Sequence, residues 1–276
     1  MFTLNCKGRL LVVDKPLVMG IINTTPDSFY SGSRQESIDA VLTKAEIMIQ
    51  EGTTILDVGG QSTRPGSDKL TEEQELKRVI DPIAAIHKNF PETFISIDTY
   101  YSKVAKMAVA AGASVVNDIS AGSIDSKMIS TVAALKVPYV LMHMLGTPQT
   151  MQQKPIYENV SGEVLDFLIK KVNDLHNSGI TDIIVDPGFG FGKTIAHNFE
   201  LLRNLPVFKM LNCPLLLGIS RKSFIYKTLG TITEDSLNGT SVLHTIGLLN
   251  GASILRVHDV KEAVETIKLV EAYRRA

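Results

Sequence analysis

The stretch TFISIDTYYSKVAKMAVAAGASVVND, residues 93–118, holds the pattern that decides the fold. An apolar run stops at Asp98, helix-like spacing follows near Val104–Ala111, and a second apolar run stops at Asn117 and Asp118. Short β-branched runs separated by helical segments read as β-then-α units. Runs without polar alternation belong to strands buried on both faces, as in a parallel sheet. Working outward, the same layout recurs in LVMGIIN ending at Asn23, TTILDVGG around Asp57, VPYVLMH ending at His143 and DIIVD ending at Asp186. It recurs again in PLLLGIS ending at Ser220 and in SILRVH, with Arg256 and His258. That makes eight runs, or about 34 residues per unit, near the ~30 that a strand, a helix and two connections occupy. The reading is an α/β chain folded as a (β/α)8 TIM barrel, a single domain over residues 1–276. Its strand ends gather polar groups on the face where such barrels do their chemistry.

Composition narrows the classes of function. A formal net charge of -1 argues against a nucleic-acid surface, which usually carries a basic excess. No apolar stretch approaches the ~20 residues of a membrane span, and charges interrupt the N-terminal apolar residues, unlike a signal peptide. Two cysteines, Cys6 and Cys213, are too few and too separated for a disulfide framework or a zinc site. A cytoplasmic protein is expected. Residues before Pro16 read as two short strands around Cys6-Lys7-Gly8, a hairpin closing the bottom of the barrel.

Three long polar loops follow the first, second and fifth strands: NTTPDSFYSGSRQ (23–35), GGQSTRPGSDKL (59–70) and MLGTPQTMQQKPIYEN (144–159). Lying on one face, they suggest a partly mobile lid. Capping boxes are expected at Thr71–Gln74 and Asp259–Glu262. DPGFGFGKT (186–194) fails the P-loop spacing and the G-x-G-x-x-G pattern, because its glycines alternate. A tight turn that lets backbone approach a flat ligand fits it better.

Asp57, Asp98 and Asp186, with Asn23 and Asn117, end five of the runs. One strand-end Asp is commonly a turn former. Five acid or amide ends together offer acceptors and mixed donor–acceptor groups suited to a heterocycle with amino and lactam edges, or oxygen ligands for Mg²⁺ with a substrate phosphate. Arg64, Arg221, Lys222, Arg256 and His258 form a complementary basic set, with Thr63 and Ser223 adding hydroxyls. Lys222-Ser223-Phe224 opens a helix whose N-terminus favours an anion. His143 reads equally as a structural histidine or a ligand contact.

The ordered motifs NTTPDSF, DVGGQSTRPG, SIDTY, NDISAG, LMHM, DPGFGFGKT, GISRKSF and RVHDV resemble the dihydropteroate synthase family of the folate pathway, across essentially the whole chain. The resemblance implies condensation of 6-hydroxymethyl-7,8-dihydropterin diphosphate with p-aminobenzoate to give 7,8-dihydropteroate and pyrophosphate. It implies that Asp98, Asn117, Asp186 and Lys222 hydrogen-bond the pterin, that Met142, Phe191 and Gly218 line its slot, and that Arg256 stacks over the ring. Asn23 would help hold Mg²⁺, the implied cofactor. Thr63, Arg64, Arg256 and His258 would bind the diphosphate. Phe29, Thr63, Pro65 and Ser223 would take p-aminobenzoate. Asp98, Lys222, Arg256 and Asp57 are the residues expected to carry catalysis, and a homodimer through helices late in the chain is implied. Gln61 stands where the family often has Glu, and Tyr30–Ser33 replaces an acidic, glycine-rich turn. The rival readings are a pterin-binding methyltransferase domain and a non-catalytic pterin-binding scaffold. The methyltransferase has no need of diphosphate-binding residues such as Thr63-Arg64 and Arg256-x-His258, and a scaffold would show loss of the lysine or arginine anchors, which are all present. Arg256→Ala is expected to impair catalysis far more than folding.

Overall fold

The computed structural model describes residues 1–24, 34–61, 69–148, 150–151 and 155–276. Strands β1 (Phe2–Cys6) and β2 (Arg9–Val13) pair antiparallel as a separate hairpin turned by Lys7 and Gly8, both at positive φ. Parallel strands and helices then alternate: β3 (Leu17–Asn23), α1 (Arg34–Gln50), β4 (Ile55–Gly59), α2 (Glu72–Asn89), β5 (Phe94–Asp98) and α3 (Ser102–Ala111). They continue as β6 (Val115–Asp118), α4 (Met128–Leu135), β7 (Tyr139–Met142), α5 (Val160–Asn177), β8 (Ile183–Asp186) and α6 (Ile195–Arg203). The last units are β9 (Leu216–Leu217), α7 (Ser223–Leu229), α8 (Leu237–Leu249), β10 (Ile254–Val257) and α9 (Val260–Arg275).

The eight-stranded sheet runs β8-β7-β6-β5-β4-β3-β10-β9, and an isolated parallel bridge between Val185 and Leu215 brings its two ends together. This is the TIM barrel expected from the sequence. The apolar runs become strands because both faces are covered. Outward residues such as Val58, Ile97, Val116, Leu141 and Val185 pack on the helices. Inward ones, including Met19, Ile55, Val115, Val140, Ile184 and Ile254, meet Leu4, Cys6, Leu11 and Val13 of the hairpin. The hairpin thus plugs the lower barrel with apolar side chains. Among the described residues no helix is long and apolar enough to cross a membrane.

Register sets the upper barrel. Asn23 pairs with Gly59, Gly59 with Asp98, and Asp98 with Asn117. Paired residues in a parallel sheet share a face, so these groups stand level around the mouth, with Asp57 and Ser96 paired two residues below Gly59 and Asp98. The Thr71–Gln74 capping box forms as expected. The one expected at Asp259 does not: its carboxylate is engaged by Arg221, and no side-chain cap bond forms on α9.

Candidate active site

Asp57 lies wholly buried on β4, where its Oδ2 accepts hydrogen bonds from Asn117 Nδ2 at 3.1 Å and Arg256 Nε at 2.6 Å. Arg256, rising from β10, also donates from Nη2 to Asp98 Oδ2 at 2.6 Å. One guanidinium therefore bridges two carboxylates contributed by different strands. Burial pushes the Asp98 carboxyl up, Arg256 pulls it down, and the nearby charges of Asp57 and Asp118 push it up again. Asp57 Oδ1 is buried with no hydrogen-bond partner among the described residues. An acceptor left open beside a cation is ready for a donor from a ligand.

Asp186 ends β8, and its Oδ1 accepts from the Gly188 amide at 2.7 Å. Gly218 leaves room beside it, since a Cβ there would stand 3.5 Å from Asp186 Oδ2. Lys222, just before α7, donates to the Phe189 carbonyl and holds its ammonium 4.4 Å from the centre of the Phe191 ring. Burial brings Lys222 down to about 8, against the opposing pull of Asp186. Met142 and Phe191 belong to a small apolar cluster with Tyr100, Ile119 and Met151. This cluster forms an apolar wall for the upper barrel, whose acid, amide and cationic groups end the neighbouring strands. A few convergent polar groups beside an apolar wall are the general make-up of a small-molecule site.

The remaining expectations divide. Asn23 ends β3, half-buried and level with Asp98 and Asn117. His258 Nδ1 lies 3.0 Å from Ser220 Oγ, which also accepts from the His258 amide at 3.2 Å. Ser223 is exposed at the first position of α7. Phe29, Thr63, Arg64, Pro65 and the Tyr30–Ser33 variation lie outside the described residues, as does most of the first two of the three loops read as a lid. Arg221 is a correction. It sits at φ 55° and grips both Asp259 carboxylate oxygens at 2.8 Å, as well as the carbonyls of Thr233 and Glu234. It therefore ties β9 to β10 instead of offering a free charge. Asp118, next to Asn117, also turns away from the mouth: it accepts from Ser120, Gly122 and the Tyr139 hydroxyl. His143 is a structural contact. Its Nδ1 lies 2.9 Å from Lys193 Nζ and its ring meets Phe167 edge-on at 4.9 Å.

Two buried groups escaped the sequence reading. Lys193 is 3% exposed behind the glycine turn, and its place directly after that turn was the signal available. Glu75 on α2 is 1% exposed, and burial raises its carboxyl to about 8. Neither Glu75 oxygen has a hydrogen-bond partner among the described residues.

Among the described residues no group of three or more His, Cys, Asp or Glu could hold a metal ion. A dedicated metal cage is therefore not built from them. The donor set does fit a Mg²⁺ ion that arrives with a diphosphate, because such ions keep most of their oxygen ligands from phosphate and water and Asn23 offers one neutral oxygen donor.

The sequence profile described as "Pterin binding enzyme" matches residues 19–258. The dihydropteroate synthase of Escherichia coli K12 is 42% identical over 268 residues, covering 96% of this chain and 94% of that protein. The Xanthomonas albilineans dihydropteroate synthase solved with 4-aminobenzoic acid aligns at a TM-score of 0.92 and 38% identity, covering 99% of this chain and 98% of that one. The same organism's enzyme in complex with 7,8-dihydropteroate aligns at 0.89 and 36% identity, covering 99% of both chains.

Proposed function

The chain belongs to the dihydropteroate synthases of the pterin-binding enzyme family, and from that premise we propose how its residues perform the reaction. The enzyme joins 6-hydroxymethyl-7,8-dihydropterin diphosphate to p-aminobenzoate in folate biosynthesis, giving 7,8-dihydropteroate and pyrophosphate. The observation that carries the assignment of roles is the ring of Asp57, Asp98, Asn117, Asp186, Lys222 and Arg256 gathered beside an apolar wall.

Asp98, Asn117 and Asp186 present acceptors and one amide to the pterin's amino and lactam edges, and Lys222 donates to a ring acceptor. Met142, Phe191 and the bare Gly218 bound the flat ring. Arg256, freed in part from its carboxylates, covers the ring and faces the diphosphate alongside His258, Thr63 and Arg64. Asn23 would hold Mg²⁺, which when bound neutralises charge on the departing diphosphate. Positive charge then grows at the pterin methylene as its C–O bond breaks, and the anionic lining of Asp57 and Asp98 favours it. The neutral aniline nitrogen of p-aminobenzoate forms the new C–N bond and gives its proton to solvent. Ser223 and the α7 amides receive the p-aminobenzoate carboxylate, with Phe29, Thr63 and Pro65 around its ring.

We also infer a homodimer. Val242, Ile246 and Leu249 on α8 lie exposed, and the neighbouring α9 exposes Leu269 and Tyr273 at 73% and 72%. Helix faces of this kind commonly mark association surfaces. The free thiols of Cys6 and Cys213 suit the reducing cytoplasm.

Pyrophosphate release from the pterin diphosphate, measured with and without Mg²⁺ and p-aminobenzoate, tests the reading. Release accompanied by dihydropteroate, and only with Mg²⁺ present, is expected. Tight pterin binding without product would overturn it in favour of the scaffold or methyltransferase reading.

A further inference from the structure

We propose that Lys193 is a positioning residue for this reaction: with His143 as an acceptor, it fixes the turn at residues 188–192 that supplies both a wall of the pterin slot and the anchor of Lys222. The proposal rests on the pterin reading of the upper barrel. The turn gives it a geometric basis. Gly188, Gly190 and Gly192 all sit at positive φ, and a Cβ on Gly188 would lie 1.8 Å from the His143 carbonyl oxygen. The chain here runs against the end of β7 and has no space in which to drift on that side.

Lys193 Nζ reaches across the inside of the turn to the Gly188 carbonyl at 2.9 Å and the Phe191 carbonyl at 3.1 Å, with His143 Nδ1 at 2.9 Å. An ammonium carries three donors, and these contacts use all of them. When Lys193 is an ammonium, His143 accepts through Nδ1 and carries its proton on Nε2. Burial and the adjacent Lys193 charge keep its ring neutral, pushing it down to about 3. None of the three acceptors is a carboxylate. Burying an ammonium is costly: burial lowers Lys193 to about 7, and only the nearby Asp186 carboxylate, not itself one of the acceptors, pulls it back up. The output of the turn supplies a reason for it. Phe189 carbonyl receives Lys222, and the Phe191 ring lies under the Lys222 ammonium. Lys193 thus clamps the Gly188 and Phe191 carbonyls, on either side of the Phe189 carbonyl, in the turn whose Phe189 carbonyl and Phe191 ring aim Lys222.

The turn has independent anchors on its outer side. Asn198 Oδ1 accepts from the Gly190 amide at 2.7 Å, and the Tyr157 hydroxyl donates to the Gly192 carbonyl at 2.9 Å. These keep the segment folded when the inner clamp is lost, so misplacement is the expected consequence of losing Lys193.

The test compares wild type with Lys193→Met in the full-length protein, reading calorimetric affinity for a pterin and, separately, for pyrophosphate with Mg²⁺. Affinity for the pterin should fall by about tenfold or more, in keeping with the cost of ångström-scale misplacement, with pyrophosphate affinity unchanged. His143→Leu and His143→Gln form a second arm. Gln retains an acceptor for Lys193 and should restore most of the pterin affinity that Leu loses. A wild-type enzyme that fails to bind the pterin would sink the underlying reading. Wild-type binding with equal pterin affinity in Lys193→Met would overturn the positioning role. So would Leu and Gln variants that fall together, or pterin and pyrophosphate affinities that fall in parallel.

Discussion

Replacing Arg256 with methionine keeps the stem of the side chain and removes its charge, leaving Asp57 and Asp98 without the guanidinium that bridges them. Both contacts are 2.6 Å and Asp57 has no exposure to water. Removing one partner of a buried pair costs about 3–5 kcal/mol. Arg256 is 21% exposed, so partial solvation of the site lowers the expected loss to roughly 2–4 kcal/mol. For a chain of this size that corresponds to a Tm drop of about 3–8 °C. Urea unfolding and scanning calorimetry of the ligand-free protein at pH 7.5 measure it. The companion Arg256→Met with Asp98→Asn removes one of the two stranded charges and should recover at least about 1 kcal/mol. The single variant should also regain stability as pH falls. Its Asp98 carboxyl, already raised by burial, would rise further without the guanidinium, so the folded state would bind a proton that the unfolded state releases. A single variant within about 0.5 kcal/mol of wild type, or a double variant no more stable than the single, would refute the reasoning. Sequence alone casts Arg256 as a ligand anchor on an already packed scaffold. The structure makes it part of the scaffold as well, so turnover and stability should fall together.

Gly188→Ala forces a side chain into the left-handed region at φ 72° and against the His143 carbonyl; a loss of about 3 kcal/mol or more is expected, and a variant with unchanged urea midpoint would exclude the clash. Glu75, raised to about 8 from 4.5, binds its proton more tightly when folded, so it lowers stability as pH rises between these values. Glu75→Gln should flatten the decline of the unfolding free energy from pH 5 to pH 8 by roughly a few kcal/mol, and parallel wild-type and variant curves would argue otherwise. Leu269→Asp together with Tyr273→Asp should shift the protein toward monomer in sedimentation velocity, with a retained dimer ruling out this face.

The strands were legible because a strand covered on both sides shows as an unbroken apolar run, and the groups ending β5, β6 and β8 follow directly. What could not be read was which of two adjacent strand-end residues faces inward. A shift of one residue reverses the face, and so Asn117 enters the mouth while its neighbour Asp118 binds a turn. The same uncertainty separates Lys222 from Arg221, whose guanidinium is drawn off by Asp259. That diversion also explains why the capping box expected on α9 fails. The box that forms instead at Thr194 has His197 at its third position, outside the Glu or Gln pattern that sequence inspection seeks. Lys193 and Glu75 were hidden for a different reason: a charged residue is ordinarily solvated, and only tertiary packing reveals the exceptions.

The barrel's circuit of strands is least complete between β8 and β9, where an isolated bridge replaces a ladder. Asp186 and Gly218 stand just above that seam, 3.5 Å apart by the measure of a Cβ on Gly218. A ring bound to both sides would act as a rivet across the gap in the hoop. Amide hydrogen exchange should therefore slow most at the backbone of residues 183–186 and 215–219 when a pterin binds, so that the ligand completes the wall that holds it.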